Sequence, residues 1–150
     1  MRSALCGLLL FTAVLTGETD AGRLTSTLLA LKNGTNLSDR LADDILALAD
    51  PRLPPSRSTV FSFADELARG LSGRPLSNSD AALLQRSISN VLHGVGATFH
   101  SAAYVRQVLS RSGVESSKAQ VITKRFIAIG EEVRGPDDIP VQRLLDRNRK

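Results

Sequence analysis

Four glycines end apolar stretches in the C-terminal half of this chain at nearly equal distances. They are Gly73, Gly94, Gly113 and Gly135, and the intervals between them are 21, 19 and 22 residues. Before each glycine, apolar residues recur three or four positions apart, as Ile122, Phe126 and Ile129 do before the last one. This period places apolar side chains on one face of an α-helix. An interval of this length holds a helix of about four turns and a short connection, so the spacing predicts a succession of helices.

The same period continues into the N-terminal half of the chain. The apolar positions of two further helices are Leu24, Leu28 and Leu31, followed by Leu41, Ile45 and Leu48. Gly34 is predicted to end the first helix and Ser38 to cap the second. Another helix is predicted after the Pro-rich linker 51–58, with Ser62 and Asp65 as its capping pair. Because short connections favour antiparallel neighbours, the sequence predicts an all-α, up-and-down bundle of about five to six short helices.

The first 21 residues have the layout of a secretory signal. Arg2 gives the segment a positive start, and residues 3–17 contain no charged side chain. That uncharged run is shorter than the roughly 20 residues that a membrane-spanning helix needs. Gly17 and Ala21 are the two candidate positions for the last residue removed. A buried N-terminal helix and a retained signal anchor are the alternatives to a cleaved signal.

The predicted organisation has three parts. Residues 1–21 are the signal, residues 22–135 form a single helical domain that contains the Pro-rich linker, and residues 136–150 form a basic tail. The part before the linker is too small to hold a core of its own, so the linker does not separate two domains. No transmembrane span is predicted in the mature chain. We therefore expect a secreted or periplasmic protein.

Few side chains in this sequence are suited to catalysis or metal binding. The histidines are His93 and His100, and the single cysteine, Cys6, lies in the signal segment. A site made of Cys and His ligands therefore cannot form in the mature chain. The paired carboxylates, such as Asp43 and Asp44, are adjacent on predicted helices and point in different directions. No serine elbow or phosphate-binding glycine motif is present. We expect no catalytic residue, no cofactor and no metal site.

The charge pattern leaves two interpretations of the C-terminus open, a solvated charged end and a contact region for an anionic surface. The net charge is +4, and the arginines are scattered except at the C-terminus. That cluster comprises Arg143, Arg147, Arg149 and Lys150. It is the predicted contact region for an unknown protein or an anionic envelope surface. A nucleic-acid partner is not predicted, because the chain has an export signal and no recognisable reader module.

These features favour a non-enzymatic helical protein that acts outside the cytoplasm by surface contact. Two alternatives stay open. One is a carrier that holds a small apolar ligand in a cavity between helices. Its candidate lining residues are Phe61, Phe63, Phe99, Tyr104 and Phe126. The other is an enzyme of an unrecognised class, with His93 or His100 beside a carboxylate.

Overall fold

The computed structural model describes residues 19–34 and 36–134. In these two ranges the chain forms six α-helices and no strand. They are α1 (Asp20–Ala30), α2 (Ser38–Leu48), α3 (Arg57–Leu71), α4 (Asn78–His93), α5 (Thr98–Arg111) and α6 (Ser116–Arg134), with a 3-10 turn at Leu31–Asn33 after α1. The prediction of an all-α chain with about five to six helices is confirmed.

The six helices pack into a bundle in which α6 has a central place. Along the chain, α1 packs against α2, α2 against α3, α4 against α5, and α5 against α6. The consecutive helices α3 and α4 hardly touch, and α3 packs instead against α6 while α1 packs against α4. Because α6 contacts α3, α4 and α5, it joins the two halves of the bundle. One of its faces is not covered by the other described helices.

The core consists almost entirely of aliphatic side chains from all six helices. Of the apolar positions predicted for the first two helices, all but Leu48 are buried, and Leu48 is partly buried. Among the residues that the structure describes, two aromatic side chains are fully buried, Phe63 of α3 and Phe126 of α6. Their ring centroids lie 5.6 Å apart with the planes inclined by 59°. This tilted pair links α3 to α6 in the middle of the core.

Glycines end the helices where the period predicts. Gly94 has φ 69° and its N–H donates to the carbonyl of Asn90, which closes α4. Gly113 follows α5 with φ 83°. Glycine adopts this left-handed conformation without the steric cost that a Cβ imposes. Gly135 lies outside the described residues.

Two predicted helix caps are wrong. The hydroxyl of Ser38 donates to Asp65 across the α2–α3 interface at 2.8 Å, and no side chain caps α2. Ser62 lies inside α3, because α3 already begins at Arg57 and the hydroxyl of Ser56 accepts from the N–H of Thr59. The end of the Pro-rich linker 51–58 therefore belongs to α3.

Other predictions fall on residues that the structure does not describe. The basic cluster Arg143, Arg147, Arg149 and Lys150 lies outside the described residues, as do residues 1–18 of the signal segment. Among the helices of 19–34 and 36–134, none has both the length and the apolar character that crossing a membrane requires.

Candidate binding surface and cleft

The free face of α6 is rich in cations. The helix buries Ile122, Phe126 and Ile129 towards the bundle, and this period turns Val121, Lys124 and Arg125 outwards. Lys118 is exposed in the first turn of the helix. Val121 is 39% exposed, which places one large apolar side chain among the charges. The face therefore combines positive charge with an apolar contact area.

The cations around α6 differ from most other arginines of the fold in having no acidic partner. Elsewhere, Arg23, Arg52, Arg57, Arg69 and Arg111 each form an ion pair with an aspartate. With Arg134 set aside because it has several other partners, eight cations in the described part of the chain have no ion pair there, and five of these lie on α6 or beside it. These five are Arg74, Arg106, Lys118, Lys124 and Arg125. Cations without an ion pair are therefore concentrated around α6.

A shallow groove follows the contact between α5 and α6. Its volume is about 290 Å³, and Arg106 of α5 and Lys124 of α6 are both among its lining residues, with Gln120, Val121, Thr123 and Ile127. A second depression, of about 400 Å³, continues over Val121, Lys124, Arg125 and Ala128. Because both depressions include Val121 and Lys124, they form one continuous area. We call the group Arg106, Val121, Lys124 and Arg125 the basic surface.

A separate cleft lies between the end of α3 and the start of α6. It has a volume of about 260 Å³ and is lined by Arg69, Gly70, Ser72, Arg74, Val114, Glu115 and Lys118. The two helices approach closely here, since a Cβ on Gly70 would lie 2.9 Å from Cδ1 of Ile122. We call this concavity the α3–α6 cleft.

Glu132 fastens the C-terminal part of α6 to the start of α3. Its carboxylate accepts hydrogen bonds from the hydroxyl of Thr59 and from the backbone N–H of Ser56, the latter at 2.8 Å. A third bond comes from the hydroxyl of Ser56 at 3.3 Å. The Thr59 hydroxyl and then the Ser56 N–H lower the pKa of Glu132, because they stabilise its charged form.

Replacing Glu132 by glutamine is expected to lower stability at neutral pH but not in acid. A carboxyl whose folded pKa lies below its ordinary value of 4.5 stabilises the fold above that value. This contribution disappears as the pH falls through the folded pKa. We expect a loss below about 1 kcal/mol at pH 7, because solvent screens an exposed carboxylate. Urea unfolding of the unmodified protein and of Glu132→Gln, from pH 7 into the acidic range, measures this difference in stability.

Glu131→Gln is the matched control, because the Glu131 side chain has no partner in the described part of the chain. Its stability should follow the unmodified protein at every pH. If the loss of unfolding free energy in Glu132→Gln stays constant from pH 7 into acid, the proposed role of the charge is contradicted.

The two histidines do not come together in the fold. His93 is the last residue of α4, and its Nε2 lies 2.6 Å from the carbonyl oxygen of Leu48 at the end of α2. His100 lies exposed in the first turn of α5. His93 has a weak electrostatic effect on one carboxyl, that of Asp50. The pKa of Asp50 is lowered chiefly by hydrogen bonds from Arg52 and to a smaller extent by His93. In the described ranges no group of three or more His, Cys, Asp or Glu side chains could hold a metal ion.

Adjacent carboxylates have separate partners, as the helical geometry predicts. Asp43 accepts from Arg57 of α3 at 2.6 Å, whereas Asp44 accepts from the hydroxyl of Thr27 of α1 at 2.5 Å.

The aromatic residues named for the carrier alternative do not line one common cavity, because some are buried in the core and others are exposed. Phe63 and Phe126 are core residues, and Tyr104 is 50% exposed on α5.

Sequence reasoning missed the cations around α6. Lys118 and Arg125 are seven residues apart on one predicted helix, which is close to two turns, and Lys124 is adjacent to Arg125. Arg74 and Arg106 belong to other segments, and only the packing of α6 against α3 and α5 brings each of them close to α6.

No protein-family model matches this chain, and no curated protein or solved structure does. Functional assignment therefore depends on the geometry of the described residues.

Proposed function

We propose that this protein is an exported, non-enzymatic helical module that binds an acidic surface of another protein or of the cell envelope. The basic surface on α5 and α6 is the proposed contact region. The observation that carries the proposal is the concentration there of cations without acidic partners, in a fold whose other arginines mostly have one.

Both components of the basic surface suit a contact role. The apolar part of the groove, with Val121 and Ile127, supplies area whose removal from water favours association. Arg106 and Lys124 lie on two different helices of the same groove, so an acidic partner would meet positive charge from both. Uncompensated charge of this kind accelerates encounter with an acidic surface and disfavours basic partners.

The start of α1 supports one of the two candidate cleavage positions. The helix begins at Asp20, and the hydroxyl of Thr19 caps it by accepting from the N–H of Gly22. Cleavage after Ala21 would remove this cap, which is worth about 1 kcal/mol, whereas cleavage after Gly17 leaves it in place.

We therefore expect the natural mature protein to begin at Glu18. Intact-mass analysis of the protein isolated from the extracellular or periplasmic fraction measures this directly. A chain that starts at Gly22 would contradict the role given to the Thr19 cap, and a full-length chain in the cytosol would overturn the export proposal.

Site-specific photocrosslinking in the native compartment tests the contact proposal. A photoreactive amino acid at Val121 lies within the basic surface, and the same amino acid at Val95 provides a control. Val95 is 56% exposed and lies in the turn between α4 and α5. We expect a crosslinked acidic component at position 121 and none at position 95.

Charge reversal makes the test specific. Lys124→Glu combined with Arg125→Glu should abolish the crosslink, because it replaces attraction by repulsion. Arg86→Glu is the control, since Arg86 is an exposed cation of α4 without an ion pair in the described ranges. Equal crosslinking at both positions, or a crosslink that survives the double reversal, would exclude the basic surface as the contact region.

A further inference from the structure

We propose that the α3–α6 cleft binds a phosphate group. The observation is that three segments distant in sequence bring cations to one small concavity. Arg69 comes from the last turn of α3, Arg74 from the turn that follows, and Lys118 from the first turn of α6. This site does not include Arg106, Lys124 or Arg125, so it is independent of the basic surface.

Arg74 is positioned by backbone packing instead of by an acidic side chain. Its Nη1 lies 3.0 Å from the place where a Cβ on Gly113 would stand, so the guanidinium lies against the turn before α6. Gly113 also has φ 83°, which disfavours any residue with a side chain. The guanidinium has no hydrogen-bond or ion-pair partner in the described part of the chain, so its donors are available to a ligand.

Lys118 adds a second unpaired cation beside backbone donors. The first backbone bond at the start of α6 runs from the N–H of Ala119 to the carbonyl of Glu115 at 2.8 Å. The N–H groups of the preceding helical residues have no acceptor within the helix. They carry partial positive charge, which favours an anion near the start of α6.

The composition of the cleft favours phosphate over a singly charged anion. Arg69 already pairs with Asp65 at 2.9 Å, and Glu115 contributes a negative charge to the lining. Arg74 and Lys118 supply the unpaired cations, and the lining as a whole, with three cations and Glu115, has a net charge of +2. This charge is comparable in magnitude to the charge of between −1.5 and −2 that a phosphate monoester carries near neutral pH. Donors that approach from different segments suit a group with three oxygens, and the volume of about 260 Å³ leaves room for it and for water.

Titration with inorganic phosphate, followed by amide NMR at constant ionic strength, tests this site. Phosphate should cause saturable shifts at Ser72, Arg74 and Lys118. Arg74→Gln and Lys118→Gln should each weaken binding by about three- to tenfold. Glu115→Gln should strengthen it by about two- to fivefold, because a repulsive charge is removed. Arg86→Gln, at an exposed position of α4, should leave the affinity unchanged.

The contrast between Lys118→Gln and Arg86→Gln distinguishes a built site from general attraction to a positive protein, because both variants remove one positive charge and only the first should weaken binding. The proposal is overturned if phosphate causes no saturable shifts in the cleft, or if the Arg74 and Lys118 variants bind it as well as the unmodified protein does.

A second experiment uses vesicles that contain phosphatidylglycerol. Vesicle binding that requires Arg74 and Lys118 would identify a lipid phosphate as the source, and phosphate binding without vesicle binding would identify a free one. Loss of phosphate binding in these variants with an intact Val121 crosslink would separate this site from the basic surface.

Discussion

Replacing Phe126 by alanine is expected to lower the free energy of unfolding by about 3–5 kcal/mol, the range found for large-to-small changes at buried aromatic positions. Phe126 has no exposed surface, and its ring lies 5.6 Å from that of Phe63. Truncation would leave a cavity where α6 crosses α3, and the surrounding helices can close it only in part. Urea unfolding followed by circular dichroism measures the change.

Two control variants separate cavity formation from the simple loss of an aromatic ring. Phe126→Leu keeps most of the volume and should cost less than Phe126→Ala. Phe99→Ala removes a ring that is 37% exposed on α5 and should cost far less than the buried truncation. If Phe126→Ala is no more costly than Phe99→Ala, the α3–α6 interface is not part of the stabilising core.

Combining Phe126→Ala with Phe63→Ala tests the direct contact of the two rings. Because each single truncation already removes their contact, the double variant should be less destabilised than the sum of the two single effects. The expected coupling is about 0.5–1.5 kcal/mol.

The helices could be predicted from the sequence because the signals that define them are local. The three- and four-residue period of Leu84, Ile88 and Val91 marks a buried face, and the glycine that follows provides the left-handed end of α4. Neither signal depends on which other helix covers the face. The caps were harder to predict, since three serines, Ser56, Ser58 and Ser62, lie close to the start of α3. Ser56 is the cap because its backbone is extended and its hydroxyl accepts from the N–H of Thr59. The sequence does not show at which of these residues the linker changes to helix.

The candidate sites depended on packing that the helical period does not contain. Short connections favour contact between consecutive helices, yet α3 packs against α6 and hardly touches α4. The α3–α6 cleft exists only because of that arrangement, and it joins Arg74 to Lys118 across more than 40 residues of chain. A pattern read along one helix can show Lys124 beside Arg125, but it cannot show that Arg106 lies in the same groove.

Gly130 shows the same dependence on packing at a single position. Replacing it by alanine is expected to cause the second large loss of stability. A Cβ there would lie 2.6 Å from Oγ1 and 2.7 Å from Cγ2 of Thr98, and 3.0 Å from Cγ2 of Val91. Both neighbours are buried and β-branched, so their side chains have few alternative rotamers. Gly130→Ala should therefore force α6 away from α4 and α5. Overpacking of this kind costs about 1–3 kcal/mol.

Gly70→Ala is the matched comparison, because Gly70 is also a buried helical glycine. Alanine is favoured over glycine in a helix by about 1 kcal/mol, and this gain largely cancels when the two variants are compared. At Gly70 the nearest atom to a Cβ is Cδ1 of Ile122, the flexible end of a side chain, at 2.9 Å. We expect Gly130→Ala to unfold at a clearly lower urea concentration than Gly70→Ala. Equal urea midpoints for the two variants would contradict the close approach of α6 to Thr98. They would also contradict the placement of α6 on which both candidate sites depend.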